Sequence, residues 1–346
     1  VARIELDFDA YRHNLLYLAK FCGGIERLIA VFKDNAYGHG LTQMAPLAAA
    51  VGVRMAAVKN CMEARQIDGL FETILILADL PTAPPPPSWA FAIHSLQALE
   101  KLPPNTRLHV KVDTGMHRNG IFADEIEDAF KIATSRGLKL EAFFTHYHSA
   151  DVLSSDFFVQ KERFEAIKPL ARKLAKRYNI KKIAFHASNS AAILREANSA
   201  FLDDYARSGI ATYGYTDLPK ALGEHDLRPV LSLWAKKMSS RTLTKGDCIG
   251  YGATYEVKDK LKVSCYDIGY GDGLFRYNGQ GVLRIANKKP ILGRVSMDSF
   301  SVEGDDDEVC VFNDVREFAQ FFNTISYDIL TKLSPFLSRK VIRMGS

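Results

Sequence analysis

The residues best suited to chemistry in this sequence stand where short apolar runs end. The run Leu28 to Phe32 closes on Lys33, and Asp-Asn-Ala-Tyr-Gly-His-Gly follows to residue 40, just before a new helical pattern. A lysine held at a strand end and partly desolvated can lose enough basicity to form a Schiff base with a carbonyl compound. The same residues also fit an exposed lysine before a glycine turn, and this stretch alone does not choose between the two. Other runs end comparably: Lys111-Val-Asp-Thr-Gly-Met-His-Arg118, Thr145-His-Tyr-His148, His186-Ala-Ser-Asn-Ser190 and Arg207-Ser-Gly-Ile-Ala-Thr-Tyr-Gly214.

These groups need a scaffold that gathers strand ends on one face. Eight apolar runs supply it: Leu28–Phe32, Met55–Val58, Ile74–Leu77, Ala90–Ile93, Leu108–Val112, Leu140–Phe144, Ile183–Phe185 and Ile210–Tyr213. Helical patterns lie between them, including Leu41–Ala50, Asp124–Thr134 and Phe157–Tyr178, so the expected architecture is a TIM-like (β/α)8 barrel. In such a barrel Lys33, Arg118, His146, Ser190 and Arg207 can line one pocket at the C-terminal face. Asn189-Ser190 opening a helix, with Gly209-Ile210, offers N–H groups and a hydroxyl to an anion. A phosphate cradle late in the barrel, facing a Schiff-base lysine early in it, is the layout of a pyridoxal phosphate site.

Before the barrel, residues 2–8 alternate as a strand, and Asp9 is the expected cap of a helix over 10–22. Beyond about residue 224 helical periods fade. Runs at Leu231–Trp234, Ser239–Leu243, Leu261–Ile268, Val282–Ile285, Ile291–Val295 and Glu308–Phe312 predict a mostly antiparallel β domain. The expected division is a barrel over 8–224 and a β domain over 225–346, with strand 1–7 joining the latter. Pro81–Pro87 reads as a stiff connector within the barrel.

Composition narrows the function classes. With 346 residues, 47% hydrophobic and 25% charged, the chain suits a large soluble core. The net charge of +5 is mild and scattered, which does not point to nucleic acid. The cluster Arg172, Lys173, Lys176, Arg177, Lys181 and Lys182 reads as a solvated helix face. Five widely spaced cysteines without C-x-x-C suggest neither a disulfide framework nor zinc, and suit a reducing compartment. His146 and His148 lack a third ligand at suitable spacing, so no metal is expected. No apolar run approaches the roughly 18 residues of a membrane span, and the expected location is the cytoplasm.

Lys33-x-Asn-Ala-Tyr-Gly-His-Gly40 resembles the pyridoxal-phosphate motif of the alanine racemase family. Lys-Val-Asp-Thr-Gly-Met-x-Arg (111–118), Arg-x-Gly-Ile-x-x-Tyr-Gly (207–214), Tyr-Gly-Ala-Thr-Tyr (251–255), Ile-Gly-Tyr-x-Asp-Gly (268–273) and Gly-Arg-Val-Ser-Met-Asp (293–298) resemble further family motifs in family order. The likeness runs from about residue 2 to residue 328. It implies a fold-type III pyridoxal phosphate enzyme, working as a homodimer whose active sites are each completed by the partner's β domain.

Carried over by position, Lys33 holds the cofactor and acts as one base, and Tyr251 of the partner subunit is the base on the opposite face. His146 is implied to link Tyr251 and Arg207, tuning a phenol that is a poor base at its ordinary pKa near 10. Arg207 is implied to face the pyridine nitrogen, and Tyr37, Ser190, Gly209, Ile210 and Tyr327 to hold the phosphate. Arg118 and the backbone of Met297 match the substrate carboxylate site. Lys111 matches a lysine often carbamylated, although a plain pair with Asp113 would look the same. Tyr270 and Tyr327 match an inner gate that favours small amino acids, with Asp151 and Asp298 nearby.

Asp34, Ser208, Gly271 and His117 depart from the usual family residues without removing a catalytic group. The implied activity is interconversion of L- and D-alanine for bacterial peptidoglycan. The alternatives are a racemase of broader range, acting on serine or basic amino acids, and a non-catalytic pyridoxal-phosphate-binding protein. The latter class lacks the β domain that carries Tyr251.

Overall fold

The computed structural model describes residues 1–343. They divide into two compact units, one of Val1–Tyr11, Tyr37–Gln43 and the described residues from Pro229 onward, the other of Arg12–Ala36 and Met44–Arg228. The chain opens with β1 (Arg3–Asp7) and α1 (Phe8–Cys22). The cap of α1 is Asp7 rather than Asp9: Asp7 Oδ1 accepts from Ala10 N at 2.9 Å, which leaves Asp9 inside the first turn.

The larger unit is an eight-stranded parallel barrel. Its strands are β2 (Leu28–Val31), β3 (Met55–Val58), β4 (Thr73–Ile76), β5 (Trp89–Ile93), β6 (Arg107–Lys111), β7 (Lys139–Phe144), β8 (Ala184–His186) and β9 (Ala206–Ser208). The pairing order is β8-β7-β6-β5-β4-β3-β2-β9. The gap between β8 and β9 is bridged by Arg207 N to Ser188 O and Asp204 N to Phe185 O, each 2.9 Å. Between the strands run α2 (Lys33–Tyr37), α3 (Leu41–Val51), α4 (Cys61–Gln66), α5 (Leu96–Leu99), α6 (Ile126–Ser135), α7 (Asp156–Arg177) and α8 (Ser190–Arg195). Strands β2 to β5 are almost wholly apolar because both faces are covered.

The eighth strand differs from expectation. The apolar run Ile210–Tyr213 is a 3₁₀ turn, closed by left-handed Gly214 (φ 97°). Arg207 and Ser208 instead pair with Ile29 and Ala30. A three-residue strand carrying a charged and a hydroxyl side chain leaves no apolar periodicity to read.

The smaller unit is built on a seven-stranded, mostly antiparallel sheet. Its members are β1, β10 (Leu231–Leu243), β13 (Leu261–Tyr266), β14 (Ile291–Leu292), β15 (Phe300–Glu303), β16 (Glu308–Phe312) and β17 (Ser338–Ile342). A short hairpin of β11 (Cys248–Ile249) and β12 (Tyr255–Glu256) lies beside it in sequence. The two runs expected at 231–234 and 239–243 are one strand, β10, with a bulge between Lys237 and Ser239. Val282–Ile285 forms no strand. Arg284 makes only an isolated bridge to Pro290, which has no N–H to extend a ladder. Helices α9 (Arg316–Phe321) and α10 (Ser326–Thr331) give no strong sequence signal at six residues each.

Gly38 belongs to this unit and is sterically required. At φ +80°, a Cβ there would stand 1.9 Å from Leu330 O, and Gly38 O accepts from Arg339 Nη2 at 2.8 Å. Gly38→Ala combines left-handed strain with a clash against backbone, so a loss of about 3 kcal/mol or more is expected, read as a lower urea midpoint.

Candidate active site

The site begins with an unusual piece of backbone. Directly after Lys33, Asp34, Asn35, Ala36 and Tyr37 all lie at φ 52–55°, a left-handed turn built without glycine. Each such residue costs roughly 1–2 kcal/mol, so the turn must be held from outside. Glu63 Oε1 accepts from Asn35 N at 3.1 Å, and Glu63 Oε2 from Lys59 N at 2.7 Å. Asp34 Oδ1 receives Lys59 Nζ at 2.9 Å, which gives the unusual Asp34 a structural role. Strain of this kind concentrates where the chain must aim a functional group. Here it follows Lys33, two residues beyond the end of β2, and the lysine amine has no hydrogen-bond partner among the described residues.

Opposite β2 in the ladder, β9 delivers Arg207, buried at the barrel mouth. Its four terminal N–H groups are all used. Nη1 donates to His186 Nδ1 (2.5 Å) and His186 O (2.9 Å), and Nη2 to Thr145 O (2.6 Å) and Ala187 O (3.0 Å). Only Nε–H is left to meet a ligand. No carboxylate pairs with this guanidinium among the described residues, and burial lowers its pKa to about 10. The Arg207–His146 hydrogen bond implied by the family likeness is absent; His186 takes that place. The sequence did show His186 at a strand end, but no residue type there signalled its partner.

His146 nonetheless faces the same mouth. Its imidazole is held well below the usual pKa, first by burial and then by the positive charges of Arg207, Lys111, Arg118 and Lys33. One neutral ring therefore senses four cations that come from the segment after β2, from β6, from β9 and from the loop after β6. Lys111, at the end of β6, donates to Asn119 Oδ1 rather than pairing with Asp113, and burial together with Arg118 and Arg207 lowers it to about 8. Asp113 is instead occupied by Gly115 N, His117 N and His117 Nδ1. Asn119 escaped the sequence reading because it lies beyond the strand end and meets Lys111 only through the loop. Arg118 is exposed and makes no ion pair among the described residues.

Ser190 opens α8, with Asn189 as its cap. Ser190 Oγ lies 3.1 Å from Ser208 Oγ and accepts from Gly209 N at 3.1 Å, so Ser208 contributes a hydroxyl to this corner. Ile210 N–H has no acceptor among the described residues. A hydroxyl pair beside a free amide is a donor set suited to phosphate.

In the smaller unit, the Tyr37 and Tyr327 rings meet at 5.8 Å between centroids. Tyr251 lies in a turn after left-handed Gly250 and is 68% exposed. Tyr270 is partly exposed beneath Arg276, and its N–H donates to Ser296 O. Met297 O accepts from Gly271 N at 2.8 Å, while Met297 N–H has no acceptor among the described residues. A Cβ on Gly271 would lie 3.1 Å from Met297 O, so glycine keeps this loop unstrained.

Residues 6–217 match the family described as alanine racemase, N-terminal domain, and residues 230–341 match alanine racemase, C-terminal domain. The chain belongs to the alanine racemase family. An alanine racemase of Campylobacter concisus is 46% identical over 342 residues, covering 99% of this chain and 100% of its own. One of Nitratiruptor sp. is 44% identical over 339 residues, covering 98% and 99%. The crystal structure of alanine racemase from Bacillus anthracis with bound L-Ala-P superposes with a TM-score of 0.84 at 29% identity, covering 100% of this chain and 96% of that one. Alanine racemases are pyridoxal-phosphate-dependent isomerases, and the lysine, guanidinium and phosphate-type donors of this barrel fit that cofactor. Among the described residues no helix is long and apolar enough to cross a membrane.

The buried histidines give the alanine racemase fold of this chain a defined acid sensitivity. His109 is lowered to about 3 by burial and the charges of Arg107 and Arg207, and His186 is lowered well below its usual value for related reasons. Both are neutral when folded and protonate near 6.5 when unfolded, so the unfolded state binds more protons below that pH. Stability is complete above pH 6.5 and falls on acidification. For His109 alone the loss by pH 5 is about 2 kcal/mol, measurable as a lower urea midpoint.

Proposed function

We propose that this chain racemises alanine on pyridoxal phosphate as a homodimer, with Lys33 as one base and Tyr251 of the partner subunit as the other. The observation that carries the proposal is the pairing of an unpartnered amine on Lys33 with a clamped guanidinium on Arg207 at one barrel mouth. When bound, pyridoxal phosphate supplies the electron-withdrawing ring that makes the substrate Cα–H acidic.

This chain's residues do the rest. Lys33 Nζ takes or returns the Cα proton on one side, and the phenol of Tyr251 of the partner subunit does so on the other. Arg207, whose Nε–H is the donor left free, would face the ring nitrogen of the cofactor, where its positive charge would disfavour protonation. Tyr37, Ser190, Gly209, Ile210 and Tyr327 take the phosphate. Arg118 and the backbone of Met297 take the substrate carboxylate, with Lys111 and His146 setting the surrounding field. Tyr270 and Tyr327 restrict the entry path to small side chains. D-alanine for peptidoglycan is the role that follows.

The test is the circular dichroism of L-alanine against time, with purified protein and added pyridoxal phosphate. Decay of the signal to zero is expected. A flat trace with alanine, accompanied by decay with L-serine or L-lysine, would replace the substrate; flat traces with all three would sink the racemase reading.

A further inference from the structure

Beneath the mouth, a chain of polar groups runs from Arg207 through the barrel interior, and beyond Arg207 neither the mechanism nor the family motifs use it. Arg207 Nη1 donates to His186 Nδ1 at 2.5 Å, and His186 Nε2 lies 2.9 Å from His109 Nδ1. His109 Nε2 in turn stands 3.9 Å from Glu141 Oε2. Glu141 is clamped by Arg107, whose Nε and Nη2 donate to its two carboxylate oxygens at 2.7 and 2.9 Å. Both histidines are buried, and His186 is further fixed by stacking on Phe144 at 4.9 Å.

Two features of the backbone create this line. His109 and Lys111 alternate on β6, so both fall on the same face of the strand. On β7, the register skips Glu141: Leu108 pairs with Leu140 and His109 with Ala142. The extra residue of this bulge is the one whose carboxylate meets Arg107 and His109, the usual effect of a bulge on side-chain direction.

The proton positions along the chain follow from chemistry. A guanidinium can only donate, so His186 Nδ1 must be an acceptor and its proton sits on Nε2. That proton makes His109 Nδ1 an acceptor, which places the His109 proton on Nε2, toward Glu141. His109 Nδ1 thus gives the His186 Nε2–H an acceptor, and His186 Nδ1 in turn gives one to Arg207. Arg207 has no ion-paired carboxylate among the described residues, although the charge of Asp203 favours its guanidinium, so His186 shares with three backbone carbonyls in holding its plane.

We propose that His109 is a positioning residue for the racemase, acting through His186 to orient Arg207 so that its Nε–H faces the cofactor's ring nitrogen. The proposal rests on the function given above. Loss of His109 leaves His186 Nε2–H buried without an acceptor, and Arg207 loses the polarised partner that fixes its plane.

Two readouts test it. On the cofactor-free protein, long-range ¹H–¹⁵N spectra of ¹⁵N-histidine-labelled chain are expected to show His186 and His109 as neutral Nε2–H tautomers at pH 7, with the His186 Nε2 proton shifted downfield. The downfield shift is lost in His109→Leu and kept in His109→Asn, whose carbonyl oxygen stands near the position of Nδ1. On the loaded enzyme, His109→Leu lowers kcat on the order of 10- to 100-fold with little change in KM, and His109→Asn restores most of it.

A His186 imidazolium, or an Nδ1–H tautomer, in the wild-type chain would overturn the proposal, as would unchanged kcat in His109→Leu once the downfield proton is gone. Wild-type protein with the expected spectra but no racemisation overturns the proposed function, and the role of His109 with it. The spectra tell that failure apart from a failure of the histidine chain itself.

Discussion

Lys33→Ala is expected to abolish racemisation while leaving the fold intact. The amine of Lys33 makes no hydrogen bond or ion pair among the described residues, and the left-handed turn after it is held by Glu63 and Lys59, not by the lysine. Removing the side chain therefore breaks no hydrogen bond or ion pair among the described residues, and the urea midpoint should move by less than about 1 kcal/mol equivalent. The chemical loss is of another order. Both the covalent anchor and one proton carrier disappear, so the rate should fall by about 10⁴-fold or more. The visible absorbance of cofactor held on the protein should vanish as well. The assay is circular dichroism of L- and D-alanine, with urea titration as the control. A variant that folds and still racemises at more than a few per cent of wild type would remove Lys33 from the mechanism.

Tyr251→Phe is expected to give an asymmetric defect. The phenol is largely exposed within its own chain, at the tip of a turn fixed by Gly250, so losing the hydroxyl costs little stability. Racemisation should fall about 10²- to 10⁴-fold in both directions, since each passage needs a proton carrier on both sides. Exchange of the α-proton with D₂O separates the bases. The enantiomer whose α-hydrogen faces Lys33 should still exchange without inverting, and the other should do neither. Equal loss of exchange from both enantiomers would mean that Tyr251 acts on binding or folding instead. Mixed dimers of Lys33→Ala and Tyr251→Phe chains offer a check on the shared site, because one of their two sites would be fully wild type.

Local pattern was enough for part of this result. Apolar runs marked seven of the eight barrel strands, and the strand-end residue types marked the groups that face one mouth. Those features are readable because burial on both faces of a parallel strand leaves a continuous apolar run. The spacing of lysine, arginine and glycine in the motifs also carried the family likeness, which the comparisons support over both matched regions.

What the chain alone did not disclose depends on contacts between residues far apart in sequence. The strand Ala206–Ser208 carries no apolar period, and only its ladder with β2 makes it a strand. A run of four left-handed residues after Lys33 goes against local preference, most of all at Ala36 and Tyr37, and it persists because Glu63 and Lys59, about 25 residues later, compensate part of its cost. The bulge at Glu141 is a matter of register with β6, and it decides which way one carboxylate points. Residue type could nominate Arg207, but its hydrogen bonds to His186 and three backbone carbonyls exist only once β7, β8 and β9 are side by side. Composition and period report how a residue meets solvent, whereas strain, register and partner choice are set by which distant groups the closed barrel brings within hydrogen-bond reach.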